Sequence, residues 1–242
     1  MKVLLYSGGL DSWLIDKVWK PDKKIYIDMG TEYSEIEKSR LPSDVIIASF
    51  SLKQFELKNS IIPLRNLYLC LLACNLTGFE DVEICLGALN GDRVNDKSKK
   101  FAELLNPLLE YLYENQKSQP GRRAKLVMPF KDYSKRELLT EYVNNGGTLE
   151  EAFESTFSCY HPVHGKPCMS CKACFRKAIP FIVTGMKFNN SQKQKIINYM
   201  HEHVFTDMDN FLKDKGKEGV DCLSAIKVIQ SWENKNHNGG IK

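Results

Sequence analysis

Short apolar runs alternate with helix-like apolar spacing through the first half of the chain. Apolar side chains at helical intervals predict α-helices over 64–77 and 99–113. Ser134 and Glu137 form a capping-box pattern that opens a further helix, which ends before Gly146. Strands separated by helices favour an α/β fold with a doubly wound, mostly parallel sheet. The predicted strands lie at 3–6, 25–28, 45–50, 82–86 and 126–128.

The second half of the chain has a different pattern. The segment 116–123 is polar and loop-like, and 156–172 is irregular and rich in cysteine. We expect an α/β domain over 1–155, followed over 156–242 by this cysteine-rich loop and a helical C-terminal extension. The extension has three open interpretations: a dimer contact, a lid or additional core. Helical patterns are predicted at 187–204, 207–213 and 222–232, ahead of a polar tail.

Composition and charge narrow the class of protein. A hydrophobic content of 43% is ordinary for a globular chain, and no stretch approaches the ~18 apolar residues that span a bilayer. With no signal-peptide pattern, we expect a cytoplasmic location and no membrane partner. The eight cysteines then indicate thiols or metal ligands rather than disulfides. A net charge of +4 without a separate basic domain argues against direct nucleic-acid binding.

A glycine-containing loop follows the first predicted strand and precedes a helical pattern. Glycine lets backbone N–H groups approach an anion, and a helix N-terminus adds donors and partial positive charge. Asp11 in this setting indicates a Mg²⁺ ion between its carboxylate and a phosphate. An ordinary strand-to-helix turn is the alternative interpretation. The candidate phosphate-binding residues are Ser7, Gly8, Gly9, Leu10, Asp11 and Ser12.

Four cysteines in the irregular segment have the spacing C-x8-C-x2-C-x2-C. Thiolates two residues apart bind one ion from a single turn, and four thiolates close a tetrahedral shell. The pattern predicts structural Zn²⁺, and an iron–sulfur cluster is the alternative. His161 and His164 lie within the loop and are interpreted as loop residues, because four cysteines suffice. The predicted ligands are Cys159, Cys168, Cys171 and Cys174.

The glycine-containing loop resembles the PP-loop of the ATP-pyrophosphatases, and further motifs follow it in order. Each motif is weak alone, but the ordered set resembles the QueC family of 7-cyano-7-deazaguanine synthases over about residues 1–181. The motifs are SGGLDS at 7–12, PLRN at 63–66, GALNGD at 87–92, PF at 129–130, YSKRE at 133–137, SCY at 158–160, the three later cysteines and Arg176.

The resemblance implies a reaction and its cofactors. In this family ATP is cleaved between its α and β phosphates, and 7-carboxy-7-deazaguanine reacts with ammonia to give the 7-nitrile. The implied cofactors are ATP with Mg²⁺ and a structural Zn²⁺. The implied partners are a deazapurine carboxylic acid, ATP and ammonia, and we expect a homodimer.

The resemblance also implies roles for individual residues. The loop 7–12 would hold the β and γ phosphates with Mg²⁺, and Asp28 or Met29 would lie near the adenosine. Arg65 would stabilise charge at a phosphate or at the substrate carboxylate. Lys135 would reach a phosphate, and Asp92 would contact the substrate.

Two segments depart from the family pattern. Residues 93–99 form a shorter loop without the family's Tyr-Pro-Asp-Cys-Arg-like string, and 30–33 differ from the usual Tyr-Gly-Gln pattern. These departures leave open an enzyme that stops at the amide. The sequence also leaves open a tRNA-modifying enzyme, an enzyme that conjugates a protein or peptide, and a non-enzymatic nucleotide-binding protein.

Overall fold

The structure is a computed structural model that describes residues 1–32, 34–58, 61–114, 121–159, 161–213 and 216–238, with side chains of the last helix described to 234. The chain separates into two compact units, Met1–Asp132 and Tyr133–Lys242. The first contains the sheet, and the second is helical. The expected division into a nucleotide-binding domain over 1–155 and a zinc-binding helical region over 156–242 stays a prediction.

Among its described residues, the first unit contains the strands β1 (Lys2–Leu5), β2 (Lys23–Asp28), β3 (Val45–Ser49), β4 (Val82–Cys85) and β5 (Ala124–Val127). They pair in parallel in the order β3-β2-β1-β4-β5, which confirms the predicted α/β class. Val3 of β1 aligns with Lys23 on one side and with Ile84 on the other. The strand order therefore reverses at β1, and the carboxyl ends of β1 and β4 are neighbours.

The helices described in this unit are α1 (Leu10–Trp19), α2 (Ser34–Lys38), α3 (Arg65–Leu76) and α4 (Lys99–Leu112), with 3-10 turns at Lys53–Phe55 and Asn95–Lys97. Strand side chains such as Val3, Ile25 and Ile84 form a buried core with apolar residues of α3 and α4. Ser98 caps α4 by accepting a hydrogen bond from the Phe101 N–H at 3.1 Å. The predicted helices at 64–77 and 99–113 therefore correspond to α3 and α4.

The second unit, over the part that the structure describes, contains α5 (Lys135–Asn144), α6 (Leu149–Glu154), α7 (Lys172–Thr184), α8 (Asn190–Tyr199), α9 (Met208–Leu212) and α10 (Gly216–Asn238). A π-helical turn, Met200–Val204, and a 3-10 turn, Phe205–Asp207, join α8 to α9. The predicted capping box at Ser134 and Glu137 is present at α5. The helix expected at 222–232 is longer and begins at Gly216. Within the described residues, none of the helices has the length and apolar character to cross a membrane.

Arg122 joins the segment before β5 to the end of α3. The residue is only 8% exposed. Its guanidinium donates to the carbonyl oxygens of Cys74 at 2.7 Å and of Gly78, and it stacks 4.1 Å from the centre of the Tyr113 ring. Both carbonyls lie at the carboxyl end of α3, where backbone acceptors lack intrahelical partners. The guanidinium therefore adds a charged donor at the carboxyl end of α3, where it shares the Cys74 carbonyl with the Thr77 hydroxyl at 2.8 Å and also reaches the Gly78 carbonyl.

We expect Arg122→Met to lower the free energy of unfolding by about 2–4 kcal/mol, because it removes charge-assisted hydrogen bonds to the carbonyl oxygens of Cys74 and Gly78. The matched control is Arg123→Met, whose side chain is 91% exposed and pairs with Asp81 at 3.3 Å. An exposed ion pair contributes about 0–1 kcal/mol, so the control should differ little from the parent. Urea unfolding measures both variants, and equal losses would contradict the buried role of Arg122.

Candidate functional site

The loop at residues 7–12 leaves the carboxyl end of β1 and enters α1. Gly8 has φ +73°, a conformation that suits glycine, and extended Gly9 is the N-cap residue of α1. Gly9 has no side chain to cap the helix, so the first turn lacks a side-chain cap at its N-terminus. Uncapped backbone donors together with the helix dipole suit an anion at this position.

Two serine hydroxyls fix the shape of this loop. The buried Ser12 hydroxyl accepts a hydrogen bond from the Ser7 N–H at 3.2 Å and donates to the Gly9 carbonyl at 3.1 Å. The two hydroxyl oxygens, of Ser7 and Ser12, lie 3.3 Å apart. Asp11 places a carboxylate in the first turn of the same helix. The loop therefore combines a preformed anion cradle with an acidic side chain that could hold a cation beside the anion.

The loop after β4 leaves the sheet next to the loop after β1, because β4 and β1 are paired. Ligands of doubly wound sheets bind beyond the carboxyl ends of the strands where the strand order reverses. The Asp92 carboxylate accepts from the Leu89 N–H at 2.9 Å and lies 3.4 Å from the Lys97 ammonium. Asp92 thus shapes the loop at the position where the sheet topology favours a ligand.

Lys131 also contacts the loop after β4, and no sequence motif had indicated a role for it. Its ammonium donates to the Leu89 carbonyl at 2.8 Å and to the Asp92 carbonyl at 3.4 Å. Burial lowers the pKa of Lys131, although the Asp92 charge acts in the opposite direction. Lys131 directly follows the PF motif at 129–130 without being part of it, so only the folded sheet reveals its contact with the loop after β4.

Asp28 and Met29 lie at the carboxyl end of β2. The Asp28 carboxylate accepts from the Gly30 N–H at 2.8 Å and pairs with the Lys38 ammonium at 2.7 Å. Burial acts to raise the pKa of Asp28, but these contacts outweigh it and the pKa is lowered. A Cβ at Gly30, which has φ +72°, would lie 2.7 Å from the Ser51 hydroxyl. The turn after β2 is therefore tightly built, with Met29 buried beside an ionised Asp28.

Arg65 is the first residue of α3 and is exposed. The preceding Leu64 has φ +59° and is 60% exposed, which is a costly conformation for a leucine and one that clusters at functional sites. The positive charge of Arg65 acts on Glu37, whose carboxylate accepts from the Tyr26 hydroxyl at 2.8 Å. Burial nevertheless raises the pKa of Glu37. Glu37 is a second ionisable group that the sequence did not indicate.

The four predicted metal ligands come together in the second unit. The sulfur atoms of Cys159, Cys168, Cys171 and Cys174 all lie within 4.8 Å of one another, and each residue is buried. The Cys168 and Cys174 sulfurs are 3.9 Å apart. A tetrahedral ion with bonds of about 2.3 Å to sulfur requires sulfur atoms about 3.8 Å apart. The cluster therefore has the donors and spacing to hold a single metal ion.

Backbone N–H groups support negative charge on this cluster. The Cys159 sulfur accepts from the Cys168 N–H at 3.3 Å, and the Cys168 sulfur accepts from the Ser170 N–H at 3.4 Å. Burial acts to raise the pKa of Cys168, but Ser170 and the neighbouring thiols lower it to about 6. Burial and the neighbouring thiolates raise the pKa of Cys174. Four thiolates repel one another in this space, and a divalent cation would remove that conflict.

The remaining predicted residues divide between the two units. The first unit brings the loop 7–12, the Asp28–Met29 turn, Arg65 and Asp92 to the strand-end side of one sheet. Lys135 begins α5 in the second unit. His161 and His164 are exposed and are not among the clustered ligands, as the sequence had suggested.

The fold and the cysteine cluster together define a class of protein. A parallel five-stranded sheet with flanking helices, a Ser-Gly-Gly loop after β1 and a cluster of four cysteines is the architecture of the PP-loop superfamily. The family described as "Queuosine biosynthesis protein QueC" matches residues 22–185, and the chain belongs to this family. This span includes the four cysteines, Arg65, Asp92 and Lys135, whereas the loop 7–12 and α10 lie outside it.

Curated relatives point in the same direction at low identity. A protein named 7-cyano-7-deazaguanine synthase from Leptospira biflexa is 27% identical over 141 residues, which cover 57% of this chain and 55% of the relative. A protein of the same name from Prochlorococcus marinus (strain MIT 9215) is 24% identical, over 71% of this chain and 89% of the relative. Another, from Pyrococcus horikoshii, is 27% identical, over 65% of this chain and 68% of the relative. The match thus spans about half the length of the Leptospira protein. No solved structure matches the chain significantly.

We expect Cys171→Ser to lose the bound metal and to unfold at a lower temperature, because three thiolates and a hydroxyl no longer close the shell. Cys70→Ala is the matched control, since Cys70 is buried in the core of the other unit. Metal content by atomic emission, read beside the melting temperature, compares the two. Retention of one ion per chain by Cys171→Ser would contradict the four-cysteine site.

Proposed function

We propose that this chain is an ATP-dependent ligase that converts 7-carboxy-7-deazaguanine and ammonia into 7-cyano-7-deazaguanine, in 7-deazaguanine (queuosine-type) biosynthesis. The observation that carries the proposal is the preformed Ser-Gly-Gly loop at the reversal point of the parallel sheet, in a chain that belongs to the QueC family. The names of the curated relatives supply the substrate class.

The chemistry explains why ATP is needed. A carboxylate is a poor acceptor for ammonia, because its oxygen is a poor leaving group. In the proposed first step a carboxylate oxygen attacks the α phosphorus of ATP, and pyrophosphate leaves. Ammonia then adds to the acyl carbon of the resulting adenylate and loses a proton, and AMP leaves with the activated oxygen. The product of this half-reaction is the primary amide.

A second activation gives the nitrile. The amide oxygen attacks the α phosphorus of a second ATP, and pyrophosphate leaves again. Loss of two protons from nitrogen and of AMP from carbon then forms the carbon–nitrogen triple bond. The protein must orient two reactants and exclude water from each adenylate, which are positioning tasks rather than covalent catalysis.

Backbone donors and charged side chains would bind and stabilise the phosphate groups of ATP. The loop 7–12 would bind the β and γ phosphates through backbone donors, and Asp11 would share a Mg²⁺ ion that neutralises the pyrophosphate as it leaves. Arg65 would stabilise charge on the α phosphate or the substrate carboxylate. Lys135 would contribute a further cation to a phosphate.

The turn after β2 and the loop after β4 would define the two ends of the reaction site. The turn at Asp28 and Met29 would lie near the adenosine, where the pairing of Asp28 with Lys38 keeps the backbone fixed. The loop closed by Asp92 would face the deazapurine, and Lys131 would hold it there.

The ion in the cysteine cluster is proposed to be structural Zn²⁺. Sulfur atoms 3.9 Å apart fit one tetrahedral ion, whereas an iron–sulfur cluster interposes several atoms between its thiolates. Four thiolates leave no open position on zinc, so this ion would support folding and take no part in the reaction. The homodimer, the cytoplasmic location, free ammonia as nitrogen source and the absence of direct nucleic-acid binding stay predictions.

An enzyme that stops at the amide is the second candidate. The loop 93–99 is shorter than the family pattern, and it follows the Asp92 turn proposed to contact the substrate. A changed substrate loop would most directly affect the second activation, in which the amide replaces the acid. If the small-molecule reaction is inactive, that result would indicate modification of a tRNA or conjugation to a protein or peptide.

The direct test is mass spectrometry of a reaction that contains the protein, ATP, Mg²⁺, ammonium and 7-carboxy-7-deazaguanine. We expect the nitrile together with AMP and pyrophosphate. Accumulation of the amide would support the second candidate. ATP binding without conversion of the acid would contradict both and would indicate a different acid or a macromolecular substrate.

We expect Asp11→Ala to lower the rate of AMP formation by about a hundredfold or more, because the metal that neutralises the leaving pyrophosphate loses a ligand. Asp16→Ala on the same helix is the control, since Asp16 pairs with Lys24 and is separate from the loop. Both variants should keep the parental circular dichroism spectrum. Normal AMP formation by Asp11→Ala would contradict the assignment of the loop.

A further inference from the structure

The cysteine cluster joins a helix to an irregular stretch of chain. Cys171 is the N-cap residue of α7 and Cys174 lies in its first turn, so the helix itself holds these two ligands. Cys159 is the last of residues 156–159, an irregular stretch after α6 that we call the entry segment. One ion can bind all the thiolates only if the entry segment lies against α7.

A buried lysine of α7 bonds the start of the entry segment. Lys177 is 7% exposed, and its ammonium donates to the carbonyl oxygens of Phe153 at 2.7 Å and of Thr156. The same ammonium lies 4.6 Å from the centre of the Phe153 ring, within the range of a cation–π contact. Lysine is seldom buried so deeply unless its charge has partners. Lys177 therefore ties α7 both to α6 and to the first residue of the entry segment.

The acceptors of Lys177 are themselves held in place. Phe153 lies in the last turn of α6, where backbone carbonyls lack intrahelical partners. Thr156 is buried, and its hydroxyl donates to the Ala152 carbonyl at 2.8 Å. The start of the entry segment is thus bonded to α6 through Thr156 and to α7 through Lys177.

These bonds lie close in sequence to the first and the last ligand of the cluster. Thr156 precedes Cys159 by three residues, and Lys177 follows Cys174 by three residues. Residues three apart are neighbours on the surface of a helix, so Lys177 and Cys174 lie on the same side of α7. Joining Thr156 to Lys177 therefore closes most of the chain loop between the two ligands. The conformational entropy of that closure is lost on folding rather than on binding of the ion.

The neighbouring Arg176 makes a strong contact with a different helix. Its guanidinium donates to both carboxylate oxygens of Glu218 of α10 at 2.8–3.0 Å. This pair supports the packing of α10 on α7. Helix α7 therefore offers two adjacent cationic residues, of which Lys177 bonds the entry segment and Arg176 bonds α10.

We propose that Lys177 is a positioning residue of the metal site, which holds the entry segment against α7 and keeps Cys159 beside the other thiolates. The inference rests on the proposal that the cysteine cluster holds Zn²⁺, and it is independent of the ligase reaction. A protonated ammonium has no lone pair for a metal ion, so Lys177 acts only through the backbone that it bonds. Release of the ion requires the thiolates to separate, and the bonds of Lys177 slow the departure of Cys159.

The test is the rate at which the zinc-loaded full chain releases its ion to an excess of a chromophoric chelator. We expect Lys177→Met to release zinc about tenfold faster than the parent, because groups that orient metal ligands commonly contribute about 10–100-fold to affinity. Lys177→Arg keeps the charge and the donors, so its rate should lie closer to that of the parent. Arg176→Met is the matched control, which should lower the melting temperature but change zinc release less than about twofold.

Two results would overturn the proposal. One is a release rate in Lys177→Met equal to that of the parent. The other is an equal acceleration in Lys177→Met and Arg176→Met, since zinc release would then follow the general stability of the unit. If Lys177→Met does not fold, Lys177→Gln keeps a shorter, uncharged donor and should release zinc at least about threefold faster than the parent. A parental rate in that variant would also contradict the role of Lys177.

The zinc content of the parent is measured first, which separates the two assignments. A parent without the ion would contradict the metal site together with this inference, whereas a loaded parent with unchanged variants would contradict the role of Lys177 alone. The assay contains neither ATP nor the acid, so a failure of the proposed reaction would not be mistaken for a failure of this inference.

Discussion

Parallel pairing of the described strands is the constraint on which the rest of the first unit depends. Parallel strands need crossover connections, which cover both faces of the sheet and direct every carboxyl end to one edge. Because the strand order reverses at β1, the loops after β1 and β4 leave the sheet side by side. The phosphate loop and the Asp92 loop are therefore neighbours by topology, although 75 or more residues separate them in sequence.

In each of the two units, hydrogen bonds and ion pairs within the protein hold the candidate binding groups in position. In the first, the Ser7 and Ser12 hydroxyls close the loop, and the pairing of Asp28 with Lys38 fixes the turn after β2. In the second, backbone donors to sulfur prepare the cysteine cluster for a cation. In preformed sites of this kind, the binding groups lose their conformational entropy during folding rather than during binding.

The sequence predicted the features whose signals are local. The glycines of the loop 7–12, the capping box at Ser134 and the spacing of the cysteines each specify a structure within a few residues. Lys131 and Glu37 were missed because their contacts, with the Leu89 carbonyl and with the Tyr26 hydroxyl, form only when the chain folds and leave no pattern in the sequence. The first turns of α10 were missed for the same reason: their charged residues show no apolar periodicity, and Asp221 finds its partner Arg136 85 residues away.

In the proposed reaction a substrate oxygen attacks the α phosphorus of ATP at the edge of this sheet. The most direct measurement uses 7-carboxy-7-deazaguanine labelled with oxygen-18 in its carboxylate, incubated with the protein, ATP, Mg²⁺ and ammonium. If the carboxylate oxygen is adenylated, we expect mass spectrometry to find AMP that carries one labelled oxygen. Unlabelled AMP, or ADP with labelled phosphate, would exclude this step, because either result would show that the carboxylate oxygen was not adenylated.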